Sequence, residues 1–316
     1  MNWIWRTQED DPVFEATYAK YARRNIHGLL FEFDDESHYQ AAKSNNLEAH
    51  RWIWTLNDKD LEHAVMHPEW YAVNRNGESC VDKPPYVAYY RWLCPNQPGV
   101  VAHLKDKVRE ILRKDYVDGI HLDYIRYCDV VLPLNLWSRY GIVQTSELGQ
   151  YDYCYCELCR NKFRRINGAD PLDVEFPDQD LSWRKFRYDS ITALVNDLSS
   201  VAHEHNKRIT AAVFPTPEVA RRLVRQDWTN WDLDSVFPMI YHGFYKEGIN
   251  WIGHAVEEGV RSLPDRLPLY AGLFIPDFKN IRELKDGMRL ALSKGAAGIS
   301  LFGKVDDDIL KLISSF

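Results

Sequence analysis

Eight short apolar segments alternate with longer amphipathic segments along the whole chain, and this order constrains the fold more than any other sequence feature. Such alternation is typical of βα units that build a parallel sheet. The predicted strands are Trp3–Arg6, His27–Phe33, His50–Leu56, Gly119–Tyr124, Ile209–Phe214, Ser235–Tyr241, Leu269–Phe274 and Gly298–Phe302. Eight units predict an α/β protein with a single (β/α)8 barrel over residues 1–316; a doubly wound sheet is the alternative.

Three of the segments between or after the strands carry helix signals of their own. In Asp11–Asn25, apolar residues recur at helical spacing behind acidic residues that suit a helix N-terminus. Asn280–Lys294 places its apolar residues on one stripe, and Gly295 is positioned to end that helix in a left-handed conformation. A last short helix is predicted over Asp306–Ser314.

Two long insertions interrupt this rhythm. They are Asn57–Gln97, after the third predicted strand, and Cys128–Ser182, after the fourth. In a (β/α)8 barrel the loops that follow the strands surround the end where active sites are built. Because long loops are usually functional, we expect the site at this end of the barrel.

Charge and apolar patterning exclude two kinds of partner. The formal net charge is −7 with no block of five or six like charges, which argues against nucleic acid because phosphates require a basic patch. No apolar run approaches the length of about 18 residues that a membrane span needs, and no signal-peptide pattern is present. We expect a water-soluble protein. The sequence leaves open its oligomeric state and its compartment, which is the cytoplasm, or the periplasm or exterior if an export signal was removed.

The most informative segment is VDGIHLDYIRY at Val117–Tyr127. Its alternation places apolar residues on one face of the fourth strand, and His121 and Asp123 on the other. The carboxylate of Asp123 would then point into the barrel mouth. Its presence there requires an explanation, since burial of an unpaired charge is costly. Two reasons remain open: catalysis, or a structural salt bridge to Arg126 or another basic residue.

Four motifs occur in a characteristic order. They read HPEWYAVNRNGE, WLCPNQPGVVAHL, VDGIHLDYIRY and FPMIYHGFY, and they begin at His67, Trp92, Val117 and Phe237. With the strand pattern around them they span most of the chain, which resembles the glycosidases of glycosyl-hydrolase-like family 10. Related hydrolase domains for deacetylated glucosamine polymers are similar in outline. The resemblance implies a (β/α)8 glycoside hydrolase with a carbohydrate substrate, whose key carboxylate is the fourth-strand aspartate, here Asp123.

Glycosidic cleavage normally uses two carboxyl groups around an oxocarbenium-like transition state. We predict Asp123 as nucleophile or charge stabiliser and Glu32 as the second group, because Glu32 alternates to the lumen face of the second strand. Glu32 could instead be a buried partner of Arg6 or Arg51. The fifth strand ends without an acidic residue, so the general acid is not marked by the sequence.

Further residues near the predicted strand ends are candidates for substrate contact: His121, Arg126, Tyr241, His242, Trp54, Trp5, Trp92 and Asp277. A guanidinium can orient a carboxylate or bind a substrate hydroxyl. Indole and phenol rings, in a chain that is 13% aromatic, offer flat faces for sugar rings. Trp70 and Trp137 in the insertions could extend such a platform. For the histidines and for each tryptophan, core or loop packing is the alternative.

Three cysteines crowd together in the second insertion. Cys154, Cys156 and Cys159 have the spacing C-x-C-x2-C, which could hold zinc with a fourth ligand such as Cys128 or a nearby histidine. No second cysteine pair completes a four-ligand motif, so we predict free thiols or one disulfide, no bound metal and no cofactor. Nucleotide-binding, serine-hydrolase and zincin motifs are also missing from the sequence.

The sequence therefore predicts a glycoside hydrolase that acts on an oligo- or polysaccharide. Two other functions remain open. A carbohydrate-binding barrel without catalysis would account for the unmarked acid, and a metal-dependent hydrolase would use the cysteine cluster.

Overall fold

The computed structural model describes residues 1–7, 13–264 and 267–316. Its strands are β1 (Asn2–Arg6), β2 (Gly28–Phe31), β3 (Glu48–Trp54), β4 (Gly119–Asp123), β5 (Arg208–Val213), β6 (Ser235–Pro238), β7 (Tyr270–Phe274) and β8 (Gly298–Phe302). All neighbours pair in parallel, in the order β6-β5-β4-β3-β2-β1-β8-β7. Single parallel bridges, Val236 to Leu269 and Met239 to Gly272, join the outermost strands β6 and β7. The predicted (β/α)8 barrel is confirmed.

Helices alternate with these strands. In the described ranges they are α1 (Phe14–Ala22), α2 (Glu36–Ser44), α3 (Leu61–Met66), α4 (Pro98–Leu112), α5 (Leu134–Tyr140), α6 (Glu157–Asn167), α7 (Leu181–Glu204), α8 (Pro217–Val224), α9 (Asn250–Ser262), α10 (Ile281–Ser293) and α11 (Asp307–Ile313). The helix predicted from Asp11 begins at Phe14 in the structure, and Asp11 itself lies outside the described residues. Among the described helices, none combines the length and apolar composition that crossing a bilayer requires.

Several helices begin at side-chain caps. Asn280 accepts the backbone N–H groups of Arg282 and Glu283 at the start of α10, and Asp306 caps α11 in the same way. Each such bond satisfies a donor that has no partner within the helix. Gly295 follows α10 with φ +100°, as the predicted left-handed ending requires. Local sequence signals therefore determine where the last two helices begin and where α10 ends.

Several strands end earlier than predicted at the barrel mouth, and in β2 and β6 the early end moves candidate site residues out of the strand. β2 ends at Phe31, and β6 ends at Pro238, whereas the predictions extended to Phe33 and Tyr241. Beyond Pro238 the chain leaves the sheet and forms a 3-10 turn at His242–Tyr245. The other predicted strands agree with the structure to within two residues at each end. Residues expected at these two strand ends thus lie in loops around the mouth.

Large rings fill the lower part of the barrel. The interior cluster consists of Trp3, Trp5, Leu30, Trp52, Ala212, Phe237 and Tyr270. Its rings meet edge to face; Trp5 and Trp52, for example, have centroids 4.7 Å apart and planes at 89°. Gly28 is required here, because a Cβ at that position would lie 2.3 Å from the ring of Trp3. These rings close the barrel interior and form a floor beneath its mouth.

The loops after β3 and β4 form the rim of the mouth. The first contains α3 and the second contains α5 and α6. They are joined by an antiparallel bridge between Asn74 and Tyr153 and by a 2.7 Å hydrogen bond from Tyr155 N–H to the Val73 carbonyl. Each loop leaves the carboxyl end of its strand, so the two together cover one side of the barrel opening.

Candidate active site

A cavity of about 380 Å³ opens at the carboxyl ends of the strands. This volume lies within the range of roughly 300–1,000 Å³ typical of small-molecule sites. Most of its wall is aromatic. It is lined by Trp5, Thr7, Glu32, Trp52, Trp54, Tyr90, Asp123, Tyr124, Arg126, Asp129, Pro133, Leu136, Phe214, Met239, Tyr241, Phe244, Tyr245 and Phe302. Two of its carboxyl groups, Asp123 and Glu32, are the predicted catalytic pair.

Asp123 is the last residue of β4, and its side chain is buried. The carboxyl accepts two hydrogen bonds, from Trp52 Nε1–H to Oδ2 at 3.0 Å and from Tyr124 N–H to Oδ1 at 2.7 Å. Burial raises the pKa of Asp123 from 3.8 to about 6, while the two N–H donors and the charge of Arg126 lower it. The carboxyl is therefore held in one orientation and can exchange a proton near neutral pH.

Glu32 follows β2 directly and is half-buried in the same cavity. It lies near enough to Asp123 that its negative charge contributes to the raised pKa of that carboxyl. Arg51, one of its predicted alternative partners, instead donates to the backbone carbonyls of Phe31 and Trp52. Within the described residues, no ion pair joins Glu32 to Arg51. Glu32 lines the cavity and supplies its second carboxylate beside Asp123.

Arg126 forms a buried ion pair with Asp129, whose Oδ2 lies 2.8 Å from Nη1. Its guanidinium carbon lies 4.7 Å from the ring centroid of Trp92 and 5.1 Å from that of Phe214. The predicted structural alternative, a salt bridge between Arg126 and Asp123, does not form, although the positive charge lowers the pKa of Asp123. Arg126 is thus fixed in the cavity wall by Asp129 and by aromatic faces.

Four other predicted residues do not line the cavity: His121, Trp92, His242 and Asp277. His121 is buried among the floor rings, with Nδ1 2.7 Å from Thr210 Oγ1 and its ring 4.7 Å from that of Trp5. Trp92 is fully buried behind Arg126. The structure therefore does not bring His121 or Trp92 into position for substrate contact.

His242 and Asp277 connect two loops instead of lining the cavity. Asp277 Oδ2 accepts a 3.0 Å hydrogen bond from the backbone N–H of Gly243, in the turn that follows β6. The ring of His242 is buried against Phe278, with centroids 4.9 Å apart. Both residues thus stabilise the loops after β6 and β7 at the edge of the mouth.

The predicted aromatic residues that do reach the cavity are Trp5, Trp54 and Tyr241. Trp54 is flanked by Tyr124, at 4.4 Å between ring centroids, and by Lys59, whose Nζ lies 3.1 Å from the ring. Tyr241 and Phe302 are nearly parallel, with planes at 13° and centroids 6.2 Å apart. Trp70 and Trp137, from the insertions, do not line this cavity.

Sequence reasoning missed three residues that shape the electrostatics of the site: Trp52, Tyr124 and Asp129. Trp52 could have been found, because the alternation that places Trp54 on the lumen face applies equally to the residue two positions earlier. Tyr124 contributes through its backbone N–H, a group that every residue except proline has, so the residue type does not indicate this role. Asp129 lies three residues after Arg126, but both residues are in an irregular loop. In such a loop a separation of three residues does not indicate that two side chains meet.

The whole chain is similar in fold to solved glycoside hydrolase domains. The PgaB (BpsB) glycoside hydrolase domain from Bordetella bronchiseptica has a TM-score of 0.66 at 12% identity, covering 99% of this chain and 95% of that one. A class V chitinase from Pseudomonas fluorescens Pf-5 has 0.56 at 12%, covering 99% and 98%. The PelA domain from Pseudomonas aeruginosa has 0.53 at 10%, covering 98% and 96%. At such identities the likeness establishes the fold.

Sequence comparison gives a closer assignment. No curated protein matches the chain significantly. The profile of the family described as glycosyl hydrolase-like 10 matches residues 36–275, which is more than half of the chain. The matched range includes Asp123, Arg126 and Tyr241 and begins just after Glu32. The chain belongs to the glycosyl hydrolase-like 10 family.

Proposed function

We propose that the protein hydrolyses glycosidic bonds in an oligo- or polysaccharide, with Asp123 as general acid and Glu32 as the second carboxylate. One observation carries this proposal: two carboxyl groups in different environments line one aromatic-walled cavity at the carboxyl end of a (β/α)8 barrel. That end of the barrel holds the active sites of this fold. The family assignment and the fold of the glycosidases named above support it.

The environment of Asp123 favours the acid role over the nucleophile or charge-stabilising role expected from the sequence. A general acid works best when its pKa lies near the operating pH, and burial raises the pKa of Asp123 to about 6. Glu32 is less buried than Asp123. In glycosidases with two catalytic carboxyl groups, such different surroundings usually keep one group protonated as the general acid and the other ionised.

The proposed reaction begins with a sugar ring against the aromatic wall and the glycosidic oxygen beside Asp123. Asp123 donates its proton to that oxygen as the bond to the anomeric carbon breaks, and Glu32 stabilises the positive charge that develops there. A water molecule then adds to the anomeric carbon and gives its proton to one of the two carboxylates, which completes the hydrolysis. The carboxylate left on Asp123 keeps its hydrogen bonds from Trp52 Nε1–H and Tyr124 N–H. These donors are in place before the charge forms, so they stabilise it without reorganisation.

The aromatic wall suits a carbohydrate ligand. Trp5, Trp54, Tyr241 and Phe302 present rings to the cavity, and the apolar C–H faces of a sugar pack well on such rings. Polar groups are few and converge near Asp123, as expected for a site that fixes the orientation of its ligand. Arg126 is neutralised by Asp129, so the cavity does not require an anionic sugar.

The test uses leaving groups of different acidity. The protein is first screened for binding to a glycan array, and the release of reducing ends is then measured for each glycan that binds. On an aryl glycoside of the sugar identified, Asp123→Asn should retain most activity when the leaving group is 2,4-dinitrophenolate, which departs without a proton. The same variant should be nearly inactive when the leaving group is an alcohol.

The control is Asp115→Asn, which removes an exposed carboxyl and should leave both rates unchanged. Equal losses on both leaving groups in Asp123→Asn would overturn the acid role and favour a nucleophile. A glycan that binds in the cavity without being cleaved would overturn hydrolysis and favour the carbohydrate-binding alternative.

A further inference from the structure

Four buried cysteines from two loops meet beside the active-site wall. The Sγ atoms of Cys94, Cys154, Cys156 and Cys159 all lie within 4.8 Å of one another. Cys94 Sγ is 3.4 Å from that of Cys159 and 3.8 Å from that of Cys156. Cys94 belongs to the loop after β3, and the other three belong to the loop after β4.

We propose that these four cysteines bind one Zn²⁺ ion through four thiolates. Zinc–sulfur bonds of about 2.3 Å in a tetrahedron place the sulfur atoms roughly 3.8 Å apart, close to the separations seen here. The fourth ligand is Cys94, more than 60 positions from Cys156, whereas the sequence suggested Cys128 or a histidine. Because Cys94 supplies the fourth ligand, this proposal departs from the expectation of no metal drawn from the sequence.

Local donors fit sulfur atoms that carry negative charge. Asn96 Nδ2–H points at Cys159 Sγ at 3.3 Å, and the backbone N–H of Cys156 points at Cys154 Sγ at 3.5 Å. Cys156 also stands at the N-cap of α6, where the helix dipole favours negative charge. Hydrogen bonds of this kind orient metal ligands and tune their basicity.

Free thiols or a disulfide account for the cluster less well. One disulfide would join two of the four sulfur atoms and leave two buried thiols beside it. Zn²⁺ engages all four, displaces their four protons and leaves a centre with a net charge of about −2. The backbone and amide N–H groups around the sulfur atoms are suited to that charge.

The proposed ion has a structural role. Four thiolates complete a tetrahedron, so no coordination position remains for water or substrate. None of the four cysteines lines the active-site cavity. Cys94 follows Trp92, the ring on which Arg126 rests, by two residues. The ion would therefore join the two rim loops and fix the wall that carries Arg126, which argues against a metal-dependent hydrolase.

The test measures metal content in the whole protein, purified without chelator and analysed by plasma mass spectrometry. We expect about one zinc per chain in the wild type. We expect near-complete loss in Cys94→Ser, together with a lower melting temperature. Cys80→Ser is the matched control, because Cys80 is equally buried but exchanges hydrogen bonds with the backbone of Trp92. It should keep its zinc.

A second measurement applies if Cys94→Ser does not fold. Wild-type protein stripped of metal and reloaded with Co²⁺ should show the intense visible bands of tetrahedral cobalt bound by four thiolates. Wild-type protein without metal, or Cys94→Ser with full zinc content, would overturn the site, as would disulfides among these cysteines in the unreduced protein. Iron in place of zinc would overturn the choice of ion. None of these readouts depends on glycosidase activity.

Discussion

The indole Nε1–H of Trp52 donates a 3.0 Å hydrogen bond to Oδ2 of Asp123. The two residues lie on neighbouring strands, in a register that pairs Trp52 with His121 and Trp54 with Asp123. Trp52 therefore reaches the carboxyl diagonally across the pair of strands, on the lumen face that the two side chains share. Because the bond favours the charged form, it holds the pKa of Asp123 below the value that burial alone would produce.

Replacing Trp52 by phenylalanine tests this bond while a ring remains in place. Without the indole N–H, we expect the pKa of Asp123 to rise, so the basic limb of the kcat/KM profile should move to higher pH. Trp228→Phe is the control, because the Nε1–H of Trp228 is also buried but has no hydrogen-bond partner among the described residues. A basic limb that stays in place in Trp52→Phe would show that Asp123 does not set it.

The pH dependence of activity follows from the proposed acid role. Only the protonated form of Asp123 can donate, so kcat/KM should fall as the pH rises through about 6. The measurement is initial rates with a glycan substrate across the pH range, and the basic limb should vanish for Asp123→Asn with a 2,4-dinitrophenyl glycoside. Activity that instead falls as the pH drops through about 6 would indicate a nucleophile.

The same carboxyl makes the free energy of unfolding depend on pH. The folded-state pKa of Asp123 is raised from 3.8 to about 6, so the folded protein holds this proton more tightly than the unfolded chain does. This contribution is complete below pH 3.8 and is lost as the pH rises through about 6, at a cost of ~3 kcal/mol. Asp123→Asn avoids that loss.

Urea unfolding at pH 4 and pH 7 measures this difference. Relative to the wild type, the free energy of unfolding of Asp123→Asn should increase by ~2 kcal/mol from pH 4 to pH 7, because part of the contribution is already lost at pH 4. Asp115→Asn, which changes an exposed carboxyl, should follow the wild type. Parallel pH dependence of Asp123→Asn and the wild type would contradict the raised pKa.

Close packing at the barrel floor predicts a large effect from a single methyl group. In Gly28→Ala the new Cβ would lie 2.3 Å from the Trp3 ring, which is itself enclosed by Phe237 and Tyr270. We expect a destabilisation of about 1–3 kcal/mol or more in thermal or urea unfolding. Gly248→Ala has open space around its Cβ and should change stability little. Similar stabilities of the two variants would rule out the tight contact.

The barrel and part of its site follow from local sequence patterns. Period-two alternation predicts that Asp123 and Glu32 face the lumen, and position near a strand end selects Trp5 and Trp54; all four line the cavity. The same rule also selects His121, but alternation gives the face of a strand and not the depth along the barrel. His121 lies below the cavity, among the rings that form the barrel floor.

The contacts that the sequence could not supply join loops that are distant along the chain. Asp277 receives its hydrogen bond from Gly243, in a different βα loop. Cys94 approaches Cys159 although 65 positions separate them. Neither the hydrophobic period nor the motif spacing of the sequence predicts such contacts, because they depend on how two irregular loops pack against each other. The fold was therefore easier to predict than the rim that completes the site.

The buried pair of Arg126 and Asp129 should contribute strongly to stability. Asp129→Asn leaves the guanidinium enclosed by aromatic rings without a countercharge, which is expected to cost ~3–5 kcal/mol in urea unfolding. Arg126→Met combined with Asp129→Asn should cost less than the sum of the single changes, because neither charge is then left unpaired. Asp189→Asn breaks the exposed pair with Lys185 and should cost at most ~1 kcal/mol. If Asp129→Asn cost no more than this exposed control, Asp129 would not be the countercharge that holds Arg126 in the cavity wall.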